Sequence, residues 1–261
     1  MKYNRQQLAQ FILDALDKNE AYIRSTFLES APQIGYFFID DVLPEDVVMA
    51  IFHHFPKGNE MVLKKSLREN KYVAAQMNKY HPLLEEIIYA FQDERVVEKI
   101  RVFCDLEDVF PDPHLYAGGL SRMETGQFLQ PHLDNSHDKD RARWRILNLL
   151  YYVTPDWTLD KGGHLELWPN GLSYDPIVIE SKFNRLAVMA THQASLHSVR
   201  PVTGEGARCC VSNYYFSNSP LRETDTFHVT TFRGRPGQKW TDLLLRIDAS
   251  LRMGIRKIFK N

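Results

Sequence analysis

Cysteine is scarce in this chain: only three of its 261 residues are cysteine, and two of them, Cys209 and Cys210, are adjacent. Neighbours on a strand point to opposite sides, so no disulfide framework can be built from them, and a reducing, cytoplasmic setting is the expectation. Net charge is equally small. The 32 Lys and Arg nearly cancel the 33 Asp and Glu, leaving -1, which supplies no global field for attracting nucleic acid or an acidic membrane. No apolar run reaches the roughly 20 residues that span a bilayer, and the opening stretch MKYNRQQLAQFILDALDKNE lacks the apolar centre of a secretory signal. Nothing visible exports or anchors the chain. Internal repeats and low-complexity linkers are missing too, which excludes solenoids and tethered modules.

What remains is an ordinary globular composition, 44% hydrophobic and 25% charged, sufficient for a sizeable core. The expectation is one catalytic domain over 1–261. Its parts are a helix-rich support (1–114), a β core (115–218) and a helical C-terminal extension (219–261). In the first part Leu8, Phe11, Ile12, Ala15 and Leu16 recur at helical spacing, which predicts a helix from Gln6 to about Leu28. A strand follows at Tyr36 to Ile39, then helices over Glu45 to Phe55, His81 to Gln92 and Glu94 to Cys104. From Leu115 onward short apolar segments (119–123, 144–153, 164–168, 185–190, 207–216) are punctuated by Gly, Pro and Asn turns. That pattern predicts a mainly β fold with flanking helices, an antiparallel sandwich or jelly roll. A last helix is expected from about Trp240 to Phe259.

Three features carry chemistry. His132 and Asp134 stand two apart beside a predicted strand, so imidazole and carboxylate can reach one metal from the same side. With ten histidines in the chain, such a pair alone is weak evidence, and a surface pair is the plain alternative. His197 supplies a second imidazole; two histidines and a carboxylate on one face suit non-haem Fe(II), which must keep positions open for cosubstrate and O2. Its alternative is a core or turn histidine. Arg208 lies on a predicted strand among largely apolar neighbours, where a guanidinium pointing inward requires an anion. The alternatives are an outward side chain or a structural carboxylate partner.

Together, in this order, the segments Gln130-Pro131-His132-Leu133-Asp134-Asn135, Arg145 to Trp157, Gly162 to Pro169, Lys182 to Val188, His197 to Pro201 and Gly206 to Arg208 resemble the prolyl 4-hydroxylase-like branch of the Fe(II)- and 2-oxoglutarate-dependent oxygenases. The resemblance spans about a hundred residues. It implies a double-stranded β-helix, the cupin-like form of the jelly roll, with Fe(II) held by His132, Asp134 and His197. It also implies 2-oxoglutarate and O2 as cosubstrates, Arg208 on the distal carboxylate, Tyr152 as a further cosubstrate contact, and ascorbate as a possible accessory reductant. The chain departs from the family at Met123, often a tyrosine, and at Asn148, often a threonine. Asp134 disfavours halogenation, since related halogenases lack this carboxylate.

The implied activity is hydroxylation of an unactivated C–H bond coupled to conversion of 2-oxoglutarate to succinate and CO2. A small metabolite or biosynthetic intermediate is the expected substrate, with a protein prolyl residue as the alternative. A cupin-type metal protein or a binding module that does not use 2-oxoglutarate is the rival class. The polar loop Asn135 to Arg143 is expected to border the site. The basic runs at Lys64, Lys65, Arg68 and Lys71, and at Arg233, Arg235 and Lys239, are read as solvated faces.

Overall fold

The computed structural model describes residues 3–258. In chain order the elements are α1 (Arg5–Lys18), α2 (Glu20–Ser30), β1 (Tyr36–Ile39), α3 (Glu45–His53), β2 (Val62–Lys65), β3 (Glu69–Ala74), α4 (Pro82–Ala90) and α5 (Glu94–Phe103). Next come β4 (Phe110–Pro111), β5 (Gly119–Glu124), β6 (Phe128–Leu133), β7 (Trp144–Tyr152), β8 (Leu165–Leu167), β9 (Ile177–Ile179) and β10 (Arg185–Ala190). The chain continues through β11 (His197–Val199), β12 (Ala207–Ser217), β13 (Thr231–Phe232) and α6 (Lys239–Ile258). The expected helix over Gln6 to Leu28 is two helices. They break at Asn19, which leaves helical geometry (φ -110, ψ 11) and turns its side chain back onto the Ala15 carbonyl, the kind of local bond that competes with helix continuation. Phe259, placed in the last helix by sequence, lies outside the described residues.

The strands form one nearly closed, antiparallel sheet in the order β1-β10-β7-β12-β5-β3-β6-β11-β8-β9. This is the mainly β architecture with flanking helices that a double-stranded β-helix requires. Strands β4, β6, β9, β11 and β13 and the β2–β3 hairpin lie outside the segments expected from sequence. The hairpin matters most, because β3 pairs with β5 on one side and β6 on the other.

Alternation along the central strands sorts side chains between two environments. Leu147, Leu149 and Tyr151 of β7, Leu186 and Val188 of β10, and Cys209, Val211 and Tyr215 of β12 face the helices. There they join Leu8, Ile12, Leu84, Ile88, Val96 and Ile100 in the main core. The residues between them, Tyr152, Ala187, Met189 and Cys210, form a second cluster inside the barrel with Leu165, Leu167 and Ile179. All three cysteines are free and buried. Helix α6 rests on the body through buried Leu245 and an ion pair between Asp248 and Arg68, leaving Trp240, Leu244, Ile247 and Leu251 exposed. Among the described residues no helix is long and apolar enough to cross a membrane.

Candidate active site

His132 near the end of β6 and His197 at the start of β11 are direct cross-strand partners, so their rings leave the sheet on the same side, with centroids 4.2 Å apart. Asp134, one residue past β6, closes the group. Its Oδ1 is 3.5 Å from His132 Nε2 and its Oδ2 is 3.7 Å from His197 Nε2. One ligand atom from each of the three residues lies within 4.8 Å of the others. All three side chains are buried, so the group is not a chance surface cluster.

Their outer contacts decide which atoms are free. His132 Nδ1 is 2.9 Å from the Gln130 carbonyl, and His197 Nδ1 is 2.9 Å from the Ser195 carbonyl. A carbonyl can only accept, so each Nδ1 carries the proton and each Nε2 turns a lone pair toward Asp134, the arrangement of metal-ligating histidines. Burial, followed by the neighbouring His132, pushes His197 down to about 4, which keeps it neutral and able to ligate. Burial would raise the Asp134 carboxyl, but His132, His197 and the Arg145 guanidinium more than offset it and hold the group well below the usual carboxylate range. Asp134 Oδ2 is buried without a hydrogen-bond partner. A buried anionic oxygen facing two imidazole lone pairs is costly unless a cation joins them, so the donor set fits a divalent metal, and its mixed nitrogen and oxygen character suits Fe(II).

Arg208 projects from β12 into the same interior, and only 2% of its surface is exposed. Its guanidinium lies over the Tyr152 ring at 4.8 Å, with Nε 3.4 Å from Ser181 Oγ and Nη1 3.8 Å from Met123 Sδ. Among the described residues no Asp or Glu pairs with it, so neither an outward side chain nor a structural ion pair accounts for it. Passage of the chain beside Arg208 depends on Gly163, which sits at φ +71; a Cβ there would press on Val202 at 3.1 Å and on the Arg208 stem at 3.5 Å. The Tyr152 hydroxyl is buried and makes no well-formed hydrogen bond. Burial pushes it up to about 12 despite the nearby Arg208, so it stays protonated as a donor. Met123 and Asn148 line the cavity, as their family positions imply.

That cavity, of about 220 Å³, contains the triad and Arg208 together. Its outer wall differs from expectation. The Asn135 to Arg143 loop is absent from the lining. It folds on itself instead, through Asp138 N to the Arg143 carbonyl and Ala142 N to Asp138 Oδ1, while Arg143 stacks over Phe110 at 3.7 Å. In its place stand Lys64 and Lys71 of the β2–β3 hairpin, together with Tyr116. Two lysines of a run read as a solvated face therefore belong to the site. Arg145 was also not singled out as a site residue. It is 5% exposed, 3.6 Å from Asp134 Oδ1 and 4.3 Å from the Tyr214 ring centre. A cation inside the apolar run of β7 was the available signal, the same one that marked Arg208.

Comparison with known proteins agrees with the geometry. Residues 118–216 match the family model described as the 2OG-Fe(II) oxygenase superfamily. No match to a curated protein sequence was found. Among solved structures, a prolyl-4-hydroxylase from Pseudomonas putida superposes with a TM-score of 0.56 at 17% identity, covering 76% of this chain and 100% of that one. A prolyl hydroxylase from Trichoplax adhaerens, in complex with a peptide of hypoxia inducible factor, gives 0.52 at 20% identity, covering 77% and 91%. HygX from Streptomyces hygroscopicus, with nickel, 2-oxoglutarate and hygromycin B bound, gives 0.50 at 14% identity, covering 78% and 88%. At these identities the neighbours establish a shared fold. Residues 118–216 are thus similar to the 2OG-Fe(II) oxygenase superfamily, in a fold shared with the solved prolyl hydroxylases.

Proposed function

We propose that this oxygenase hydroxylates an unactivated C–H bond of a small metabolite or biosynthetic intermediate, converting R–H, O2 and 2-oxoglutarate to R–OH, succinate and CO2. His132, Asp134 and His197 are assigned as the iron ligands, Arg208 as the partner of the distal carboxylate of 2-oxoglutarate, and Tyr152 as a neighbouring contact. One observation carries the assignment: a buried guanidinium that has no acidic partner among the described residues shares a cavity with two imidazoles and a buried carboxylate. A free buried cation is expensive, and a dicarboxylate reaching from the metal to Arg208 offsets that cost through a bidentate, charge-assisted contact. A cupin-type protein or binding module that does not use 2-oxoglutarate has no such need for Arg208.

Bound iron and 2-oxoglutarate supply the oxidising chemistry; the chain supplies position and a dry enclosure. The Gln130 and Ser195 carbonyls hold the two imidazoles in the ligating tautomer, and Arg145 holds Asp134 ionised and oriented. Leu129, Leu150, Leu165 and Val199 line the interior with apolar surface, which limits competing water and strengthens each charged contact. The cavity volume of about 220 Å³ lies below the roughly 300–1,000 Å³ of drug-sized sites, which favours a small substrate. The two prolyl hydroxylase neighbours favour the second reading, a prolyl residue in a protein.

Anaerobic protein given Fe(II) and 2-oxoglutarate should develop the weak visible charge-transfer band of the chelate, then form succinate slowly on admission of air. His132→Ala and Asp134→Ala should abolish both signals. Iron bound without a band would overturn the cosubstrate assignment. Stimulation of succinate formation by proline-containing peptides, and not by small molecules, would move the substrate to the protein reading.

A further inference from the structure

The β2–β3 hairpin lies across the mouth of the cavity, and its register places Lys64 directly opposite Lys71. Directly opposed residues share a face, so both ammonium groups stand on the side that carries Val73, and all three side chains line the cavity with the triad. Two like charges in this relationship repel. Lys71 has a single acidic partner, Glu69 on the same strand at 3.2 Å, and is only 19% exposed. Among the described residues Lys64 pairs with no carboxylate. The hairpin thus holds more positive charge at the mouth than its own groups neutralise.

The rest of the site does not absorb the excess. Given the proposed iron and 2-oxoglutarate, on which this inference rests, the divalent cation, Arg145 and Arg208 already use the charge of Asp134 and of the two carboxylates of the cosubstrate, so the site has no anion to spare for the hairpin. With Glu69 set against Lys71, the charge of one lysine is left over. We infer that Lys64 and Lys71 form an anion subsite at the cavity mouth, so that the substrate is a small molecule bearing a phosphate, sulfate or carboxylate group, held by the hairpin while its reactive carbon reaches toward the triad. Such a clamp also specifies orientation, because only one end of the substrate carries the charge.

The test uses the anaerobic complex of the protein with Fe(II) and saturating 2-oxoglutarate, titrated with sulfate or acetate at constant ionic strength set by chloride. The expected result is a saturable change in the charge-transfer band, stronger with sulfate for a phosphoryl- or sulfuryl-type group and with acetate for a carboxylate. In Lys64→Ala/Lys71→Ala the anion Kd should rise about tenfold or more, the equivalent of losing ~1.4 kcal/mol, and Lys64→Arg/Lys71→Arg should restore it. Lys64→Glu is the second variant; it changes one exposed side chain and should remove the response without disturbing the fold. A normal band that neither anion alters, or an equal response in the alanine and glutamate variants, overturns the anion subsite and leaves the oxygenase reading standing. Absence of the band in the unmodified protein overturns that reading, and the subsite inference with it.

Discussion

Arg145 Nη1 stands 3.6 Å from Asp134 Oδ1, and the two side chains meet because of an irregularity in the sheet. Between Tyr215 and Phe216 the pairing of β12 with β7 slips, so that Leu147 opposes Tyr215 but Arg145 opposes Phe216. The extra residue, Ile146, joins the helix-facing core, and Arg145 is thereby turned to the interior, as bulges commonly re-aim a side chain. In the proposed metal site Arg145 would act through Asp134, as a positioning residue. Arg145→Met should weaken divalent metal binding about 10- to 100-fold, the usual range for a partner that orients a ligand, while the fold persists. Titration with Mn(II) measures this, and Arg145→Lys should recover part of the loss. Unchanged metal affinity in Arg145→Met would refute the positioning role.

Arg208 predicts a separation of stability from binding. Its charge is buried without an acidic partner among the described residues, so Arg208→Met should leave the ligand-free protein as stable as the parent or more so. Addition of 2-oxoglutarate at about 100 times its Kd should stabilise the parent by ~2.7 kcal/mol and the variant hardly at all. Thermal unfolding with and without 2-oxoglutarate checks both halves, and a variant that still responds fully would remove Arg208 from the cosubstrate site.

Tyr152 permits a finer comparison. Its hydroxyl is buried without a well-formed hydrogen bond, so Tyr152→Phe should cost little stability. If the hydroxyl donates to the cosubstrate, the 2-oxoglutarate KM should rise about 3- to 10-fold, the worth of one hydrogen bond of 0.5–1.5 kcal/mol, with kcat nearly unchanged. An unaltered KM would confine Tyr152 to packing.

His192 predicts a pH dependence of stability. It is 8% exposed with Nε2 unpartnered, and burial first, then Arg222, pushes it down to about 3. Between that value and the unfolded value near 6.5, the unfolded chain binds the proton and the folded one does not. This contribution is therefore fully present at neutral pH and is lost as pH falls through that window, with a slope of at most about 1.4 kcal/mol per pH unit. His192→Asn, which keeps an acceptor for the Ala194 N–H, should flatten the acid limb of a stability profile. An identical slope in the variant would assign the acid sensitivity elsewhere.

The contrast between these residues shows what a linear sequence reveals. His132, Asp134, His197 and Arg208 could be singled out because their spacing and order along the chain are local properties, and the structure brings them to one cavity. Arg145 lay just as plainly in an apolar run, but its direction depends on a bulge set by the pairing of β7 with β12, which no local pattern encodes. Lys64 and Lys71 look like any exposed basic run until β3 is seen to pair with β5 and β6, contacts made across about fifty residues of chain. The same non-locality hid β4, β9, β11 and β13, each too short to announce a period, and β6, whose pairing partners β3, β11 and β13 are all distant in sequence. The break at Asn19 was missed for the opposite reason, since the apolar spacing continues through a local competition that the side chain wins.

Because β3 is stitched to both β5 and β6, the strand that presents Lys71 to the cavity is also the seam that joins the two halves of the barrel. A lineage adapting this enzyme to another substrate therefore cannot trim or lengthen the hairpin freely, since every change of length shifts two registers at once and turns side chains to the wrong face. Its open route is replacement in place at alternate positions such as 64, 71 and 73, where chemistry can vary while the backbone ladder stays intact. Selectivity in such descendants should be written in side-chain identity at fixed spacing rather than in insertions.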